Sequence, residues 1–139
     1  MDIVPGRGQV LITKPIAGLK FKGIFHFDKG YYYFREIDGR VLFGGGRNKD
    51  FDAETTTDFA LNPDIQDDLE QKLKEIILPG TPFEIETKWA GIMAFGSVKQ
   101  PIVKAFSYKV FGAFRMSGMG VALASEVATQ LVGLVSERH

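Results

Sequence analysis

Acid–base chemistry has little to work with in this chain. The imidazoles are His26, inside an alternating apolar segment, and His139, the last residue. Neither falls in a pattern that would pair a serine with a base and an orienting acid. No spacing of His, Asp and Glu suits a metal. There is no cysteine, which removes thiol catalysis, disulfides and thiolate ligation together. Three clusters remain, suited to recognition and charge stabilisation. Tyr31-Tyr32-Tyr33 sits in an extended segment, where Tyr31 and Tyr33 face one way and Tyr32 and Phe34 the other. Such rings build cores, but a tyrosine beside a cavity also offers a polar handle on an apolar wall. Gly44-Gly45-Gly46-Arg47 permits close backbone approach followed by a guanidinium fork for a carboxylate or phosphate. A bulged strand end with a solvated arginine accounts for it equally. Gly118-Met119-Gly120 opens an apolar helix, whose free amides and dipole favour negative charge. Glycines there also simply allow tight packing.

These clusters need elements to hold them. Strands are expected over residues 7–14, 23–28, 31–37 and 40–44. Lys29-Gly30 joins the second to the third, and Asp38-Gly39 is a type I′ hairpin signal, so residues 23–45 form an antiparallel meander. Residues 46–61 read as a long polar loop of the kind used for lids or mobile segments. Asn62 caps a helix with Pro63 at its first position and Asp64 favouring its dipole. Ile65, Leu69, Leu73, Ile76 and Ile77 mark its apolar face, and Pro79-Gly80 ends it. Residues 83–94 alternate as a strand, with Phe83, Ile85, Thr87 and Trp89 on one face and Glu84, Glu86 and Lys88 on the other. Short strands follow at 101–106 and 109–114. The last helix spans 121–135, with an apolar stripe of Val121, Ala124, Ala128, Leu131 and Val135. The class implied is α+β: a mostly antiparallel sheet with two main helices. With no repeat or low-complexity linker, residues 1–139 read as one domain.

The bulk numbers narrow the classes of function. The 139 residues are 45% hydrophobic and 24% charged, an ordinary globular balance. Lys plus Arg and Asp plus Glu each number 17, so nothing steers the chain to nucleic acid or an anionic surface. No apolar window is long enough to span a membrane, and the first residues lack a signal-like pattern. A soluble cytoplasmic protein is the expectation.

Taken in order, the pieces resemble one family. Arg7-Gly8-Gln9 opens a strand; YYYFREIDGRVLFGGGR follows at residues 31–47, WAGIMAF at 89–95, and SGMGVALASEVATQL at 117–131. Together they look like the C-terminal half of the D-amino-acid oxidase, glycine oxidase and sarcosine oxidase group of FAD-dependent oxidoreductases. The resemblance implies the substrate-domain portion of such an enzyme. The dinucleotide fingerprint G-x-G-x-x-G, which precedes this portion in the family, occurs nowhere in the sequence. The expectation is therefore a fragment or a truncated product whose FAD-binding Rossmann segment is absent, and which by itself binds no FAD.

Residue by residue, the resemblance places Tyr32 where a tyrosine faces the substrate and Arg47 where a side chain lines the same cavity. Gly118, Met119 and Gly120 fall where backbone and helix terminus face the flavin, with Met93 beside it. Two positions depart from the pattern. Where amino-acid oxidases carry a carboxylate-binding arginine, this chain has Met93; Arg47 or Lys99 would have to replace it. Lacking cysteine, the chain implies a noncovalent flavin. The implied activity is hydride transfer from a C–H next to nitrogen in an amine or amino acid, made by a parent protein whose FAD-binding segment lies on the same or a separate chain. The competing reading is a non-catalytic α+β module that binds a small molecule or self-associates. The sheet face that would meet the FAD domain favours a homodimer when left uncovered.

Overall fold

The computed structural model describes residues 2–137. Its elements are β1 (Val4–Thr13), β2 (Ile24–Phe27), β3 (Tyr32–Ile37), β4 (Arg40–Gly45), α1 (Pro63–Lys72), β5 (Ile85–Phe95), β6 (Ile102–Ala105), β7 (Phe111–Phe114) and α2 (Gly120–Ser136). They fall into two compact units: Arg7–Ile92, and the residues up to Gly6 together with those from Met93 onward. The expected α+β class and the two main helices are present.

In the unit Arg7–Ile92 the strands lie in the order β2-β3-β4-β1-β5, with β2/β3, β3/β4 and β1/β4 antiparallel. The hairpin between β3 and β4 turns at Asp38 and Gly39, whose φ angles of 51° and 73° are those of the expected type I′ turn. Register and pleat sort the side chains cleanly. Leu11, Tyr32, Val41 and Phe43 lie on one sheet face and form the core with Ile65, Leu69, Leu73, Ile77 and Leu78 from α1 and the turn after it. Phe27 stacks on Tyr32 at 5.0 Å and Phe25 on Phe34 at 4.9 Å, extending this face toward the β2 edge.

Helix α1 begins as expected: Asn62 Oδ1 accepts from the Asp64 amide at 3.1 Å, and Pro63 occupies the first turn. Its end differs. Leu73–Ile77 winds as a π-helical turn closed by Leu78 N–H donating to Leu73 O at 2.8 Å. The wider turn carries Ile77 and Leu78 inward and rotates Ile76, expected in the core, out to 56% exposure. Strand β5 departs as well. Phe83 and Ile85 pack against the core, but Thr87 and Trp89 are exposed, and Lys88 pairs with Glu70 of α1. Two successive exposed residues, Glu86 and Thr87, interrupt the expected alternation in a strand at the sheet edge.

In the second unit β6 and β7 form an antiparallel hairpin, and α2 packs on both strands. The face of α2 that packs overlaps the expected one only at Leu131 and Val135. Val127 is its buried residue, flanked by half-buried Leu123, Leu131 and Leu134. Val121, Ala124 and Ala128 are exposed, Val121 completely. The helix is apolar around most of its circumference, so periodicity alone could not choose the inward side. Arg115, buried, donates to Gln100 O at 2.9 Å and to Asp2 O at 2.8 Å. It lies where a Cβ on Gly96 would stand 2.6 Å from the guanidinium, so a side chain there would displace the arginine.

Candidate functional site

The candidate residues divide between the units. Tyr32 and Arg47 belong to Arg7–Ile92; Met93, Lys99, Gly118, Met119 and Gly120 belong to the other.

Tyr32 lies on the α1 side of the sheet, 2% exposed. Its hydroxyl donates to Asp68 Oδ2 at 2.7 Å, and Lys72 Nζ rides over its ring at 4.9 Å from the centroid. Asp68 Oδ1 accepts from Lys49 at 2.7 Å and from Lys72 at 2.6 Å. Burial, and then the bond to Asp68, pushes the Tyr32 hydroxyl well above the usual tyrosine range. Burial alone would raise the Asp68 carboxyl, but the bonds from Lys49, Lys72 and Tyr32 outweigh it and hold the group low. Arg47 is half-buried in the turn after β4, its guanidinium 5.1 Å from the centre of the Phe51 ring. Desolvation lowers its pKa.

The opposite sheet face carries a row set by register. His26 pairs with Tyr33, Tyr33 with Gly44, and Gly44 with Val10. The Tyr33 ring crosses β4 directly above Gly44: a Cβ there would lie 2.7 Å from the Tyr33 hydroxyl and 2.8 Å from its ring carbon Cζ. Burial pushes the Tyr33 hydroxyl up, so it stays a neutral donor through the physiological range. His26, expected to be a structural strand histidine, is exposed with its ring 6.3 Å from that of Tyr33.

The long polar loop, of the kind used for lids or mobile segments, is pinned at its middle. Glu54, fully buried, accepts from Arg7 Nε at 3.0 Å and Nη2 at 2.7 Å, from Gln9 at 3.0 Å and from Asn62 at 3.1 Å. Gln9 Oε1 in turn accepts from the Asn62 amide and from Gln66, each at 3.1 Å. The anchor ties the segment to β1 and to the start of α1. Burial works to raise the Glu54 carboxyl, but these donors together hold it below the ordinary range. In the sequence, Arg7 and Gln9 stand out as a strand start and as part of the family resemblance, not as partners of a carboxylate. Glu54 carried no signal, because nothing local distinguishes a buried carboxylate in a polar loop.

In the second unit, the Met93 sulfur lies 3.4 Å from where a Cβ on Gly118 would stand, so these two candidates meet. Lys99 is exposed. The approach to α2 is unusual in its backbone: Arg115, Ser117 and Gly118 all have positive φ, at 63°, 50° and 81°. No side-chain hydrogen bond caps α2, and Gly118 and Met119 before it are exposed. The first amides of a helix have no acceptor further along it; here Met119 N–H donates to Met116 O, and the Ala122 and Leu123 amides donate to Met119 O, so Gly120 and Val121 are the amides left at the open end. Ser117 Oγ beside it is buried with no hydrogen-bond partner among the described residues. An open cavity of about 400 Å³, lined by Lys14, Pro15, Ile16, Pro82, Phe83 and Glu84, contains none of the candidate residues. No helix among the described residues is long and apolar enough to cross a membrane.

The α+β fold is one that known flavoenzymes share. Residues 1–134 match the family of FAD-dependent oxidoreductases typified by D-amino-acid oxidase, and the chain belongs to that family. Among solved structures it is similar to L-proline dehydrogenase from P. horikoshii, with a TM-score of 0.77 at 20% identity over 97% of this chain and 36% of that one. It is also similar to glycine oxidase from Bacillus cereus ATCC 14579, with a TM-score of 0.70 at 13% identity over 99% of this chain and 37% of that one. The chain thus spans little more than a third of the length of either. No curated protein matches it. FAD is the cofactor of the family.

Proposed function

We propose that this chain is the substrate-side portion of a flavin-dependent oxidoreductase that oxidises an amine or an amino acid, and that it is inactive without an FAD-binding portion, carried on the same polypeptide or on a partner chain. The observation that carries the reading is the family match over residues 1–134, in a chain spanning 36–37% of the two similar flavoenzymes. Those are described as acting on L-proline and on glycine.

The open α2 terminus fits a flavin. No side chain caps it, Gly118 and Met119 before it are exposed, and Met93 supplies an apolar contact alongside Gly118. FAD, when bound, supplies the hydride acceptor, leaving an imine that water hydrolyses. The chain's own part is electrostatic and steric. The helix terminus stabilises negative charge placed against it. Within Arg7–Ile92, Arg47 is the cation offered to a carboxylate, and Tyr32 is held by Asp68 rather than offering a free hydroxyl.

The test is anaerobic mixing of amines and amino acids with this chain alone and with its flavin-loaded assembly. Bleaching of the flavin absorbance by an amine or amino acid in the assembly, with no turnover by the chain alone, is the expected result. An assembly that no amine or amino acid bleaches would refute the reading.

A self-associating module is the second reading, and one observation favours it. The exposed apolar side of α2, from Val121 through Ala128 to Val132, would be covered by a second copy when no FAD-binding portion is present.

A further inference from the structure

The five-stranded sheet ends at β2 on one side and at β5 on the other. An open strand edge offers its N–H and C=O groups to any second strand, and charged side chains are a usual guard against that. β5 carries such guards in Glu86 and Lys88. β2, with the sequence Ile-Phe-His-Phe, carries none. Its Ile24 is 69% and its Phe25 37% exposed, and His26 is exposed as well.

The ladder decides which backbone groups are free. Glu36 N–H donates to Gly23 O at 3.4 Å, and the register opposes Ile24 to Arg35 and Phe25 to Phe34. Bonded and non-bonded pairs alternate along an antiparallel ladder, so Phe25 and Phe27 spend their backbone groups on β3. Ile24 and His26 turn theirs to the open edge, where an incoming strand would have to bond.

A second copy of β2 meets that condition, paired antiparallel about a two-fold axis. Outward residues must face outward residues, which leaves two registers that keep such short strands overlapped. One centres on His26, opposing it to itself and Ile24 to Asp28. The other centres on Phe25: Ile24 of each copy bonds to His26 of the other, and the two Phe25 rings lie side by side. Charge separates the two. Lys22 and Asp28 flank Phe25 three residues away on either side, both exposed and in no ion pair with a described residue. The register centred on Phe25 brings Lys22 of each copy toward Asp28 of the other, at both ends of the contact. Lys29, beside Asp28, is the like charge that Lys22 then meets.

We propose that β2 is a self-recognition strand: two copies of this chain pair through it, centred on Phe25, and their sheets become continuous. The inference is independent of the flavin-dependent reading and does not use the exposed side of α2.

The experiment is sedimentation equilibrium of the chain and its variants, in which a reversible dimer is expected. Lys22→Glu and Asp28→Lys each set like charges together at both ends. Each is expected to weaken the dimer about tenfold, the size of two lost exposed ion pairs. An equimolar mixture of the two variants restores opposite charges at each end and is expected to associate as tightly as the unaltered chain, which also shows that both variants fold. The chain has no cysteine, so a single thiol reads the register. Facing residues of a non-bonded pair lie about 4.5 Å apart, within disulfide reach. Phe25→Cys is expected to give a linked dimer under mild oxidation, and Phe27→Cys, facing Gly23, is not. A chain that stays monomeric at every concentration overturns the proposal. So does a mixture that fails to recover, a dimer lost in Val132→Glu but indifferent to Lys22→Glu, or Phe27→Cys linking as readily as Phe25→Cys.

Discussion

Gly44 lies directly beneath Tyr33, so closely that any β-carbon on Gly44 would stand 2.7 Å from the tyrosine hydroxyl. The two residues are register partners on adjacent strands, and the glycine is what allows the ring to lie across β4. Gly44→Ala is expected to force the ring off its seat. The cost should resemble other overpacking changes, roughly 1–3 kcal/mol, read by chemical denaturation. The same variant should displace the Tyr33 ring signal in NMR. An alanine variant of unchanged stability, with Tyr33 undisturbed, would show that the ring is not held there.

The Arg7–Glu54 pair should behave as a buried ion pair whose members cannot be removed singly. Arg7→Met leaves the Glu54 carboxylate without its main partner, and a loss of about 3–5 kcal/mol is expected. The pH dependence has a definite sign. The folded state holds the Glu54 carboxyl below its ordinary value, so its contribution is complete above the unfolded glutamate pKa of about 4.3 and is lost as pH falls below that. Glu54→Gln should flatten the acid limb of a stability–pH profile. An unchanged limb in that variant would assign acid lability to other carboxylates.

The tyrosines give the opposite sign at the alkaline end. Burial raises the folded-state pKa of both Tyr32 and Tyr33. Stability from these groups is therefore complete below the unfolded tyrosine pKa of about 10 and declines as pH rises above it. Absorbance titration at alkaline pH should show two tyrosines ionising late, and Tyr33→Phe should remove one. Four tyrosines titrating together before unfolding would contradict the burial seen here.

On α2, the two sides of the helix should respond differently. Val127→Ala opens a gap in the packed face and is expected to cost about 1–3 kcal/mol. Val132→Glu changes a side chain that is 64% exposed and should leave the stability of the isolated chain within about 0.5 kcal/mol. If that face is covered by an FAD-binding portion or a second copy, Val132→Glu should abolish the association seen in sedimentation. Association that survives the charge would place the contact elsewhere.

Short-range physics was legible in the residues alone. The Asp38-Gly39 turn, the Asn62 cap with Pro63, and the alternation of β3 and β4 are set by neighbours within a few positions. The ordered motifs from Arg7 to Leu131 are enough to imply a flavoenzyme family. What the tertiary structure alone decided depends on which surface meets which. A helix as uniformly apolar as α2 has no preferred face until β6 and β7 supply one. The π turn at Leu73–Ile77 is adopted to bring Leu78 into the core, which no local pattern announces. Glu54 joins Arg7 across 47 positions of sequence, and its burial depends on a partner that periodicity cannot see. The pleat is readable to one residue, but which sheet face α1 covers is not. That choice spent the hydroxyl of Tyr32 on Asp68 and set the ring of Tyr33 over Gly44 on the other face.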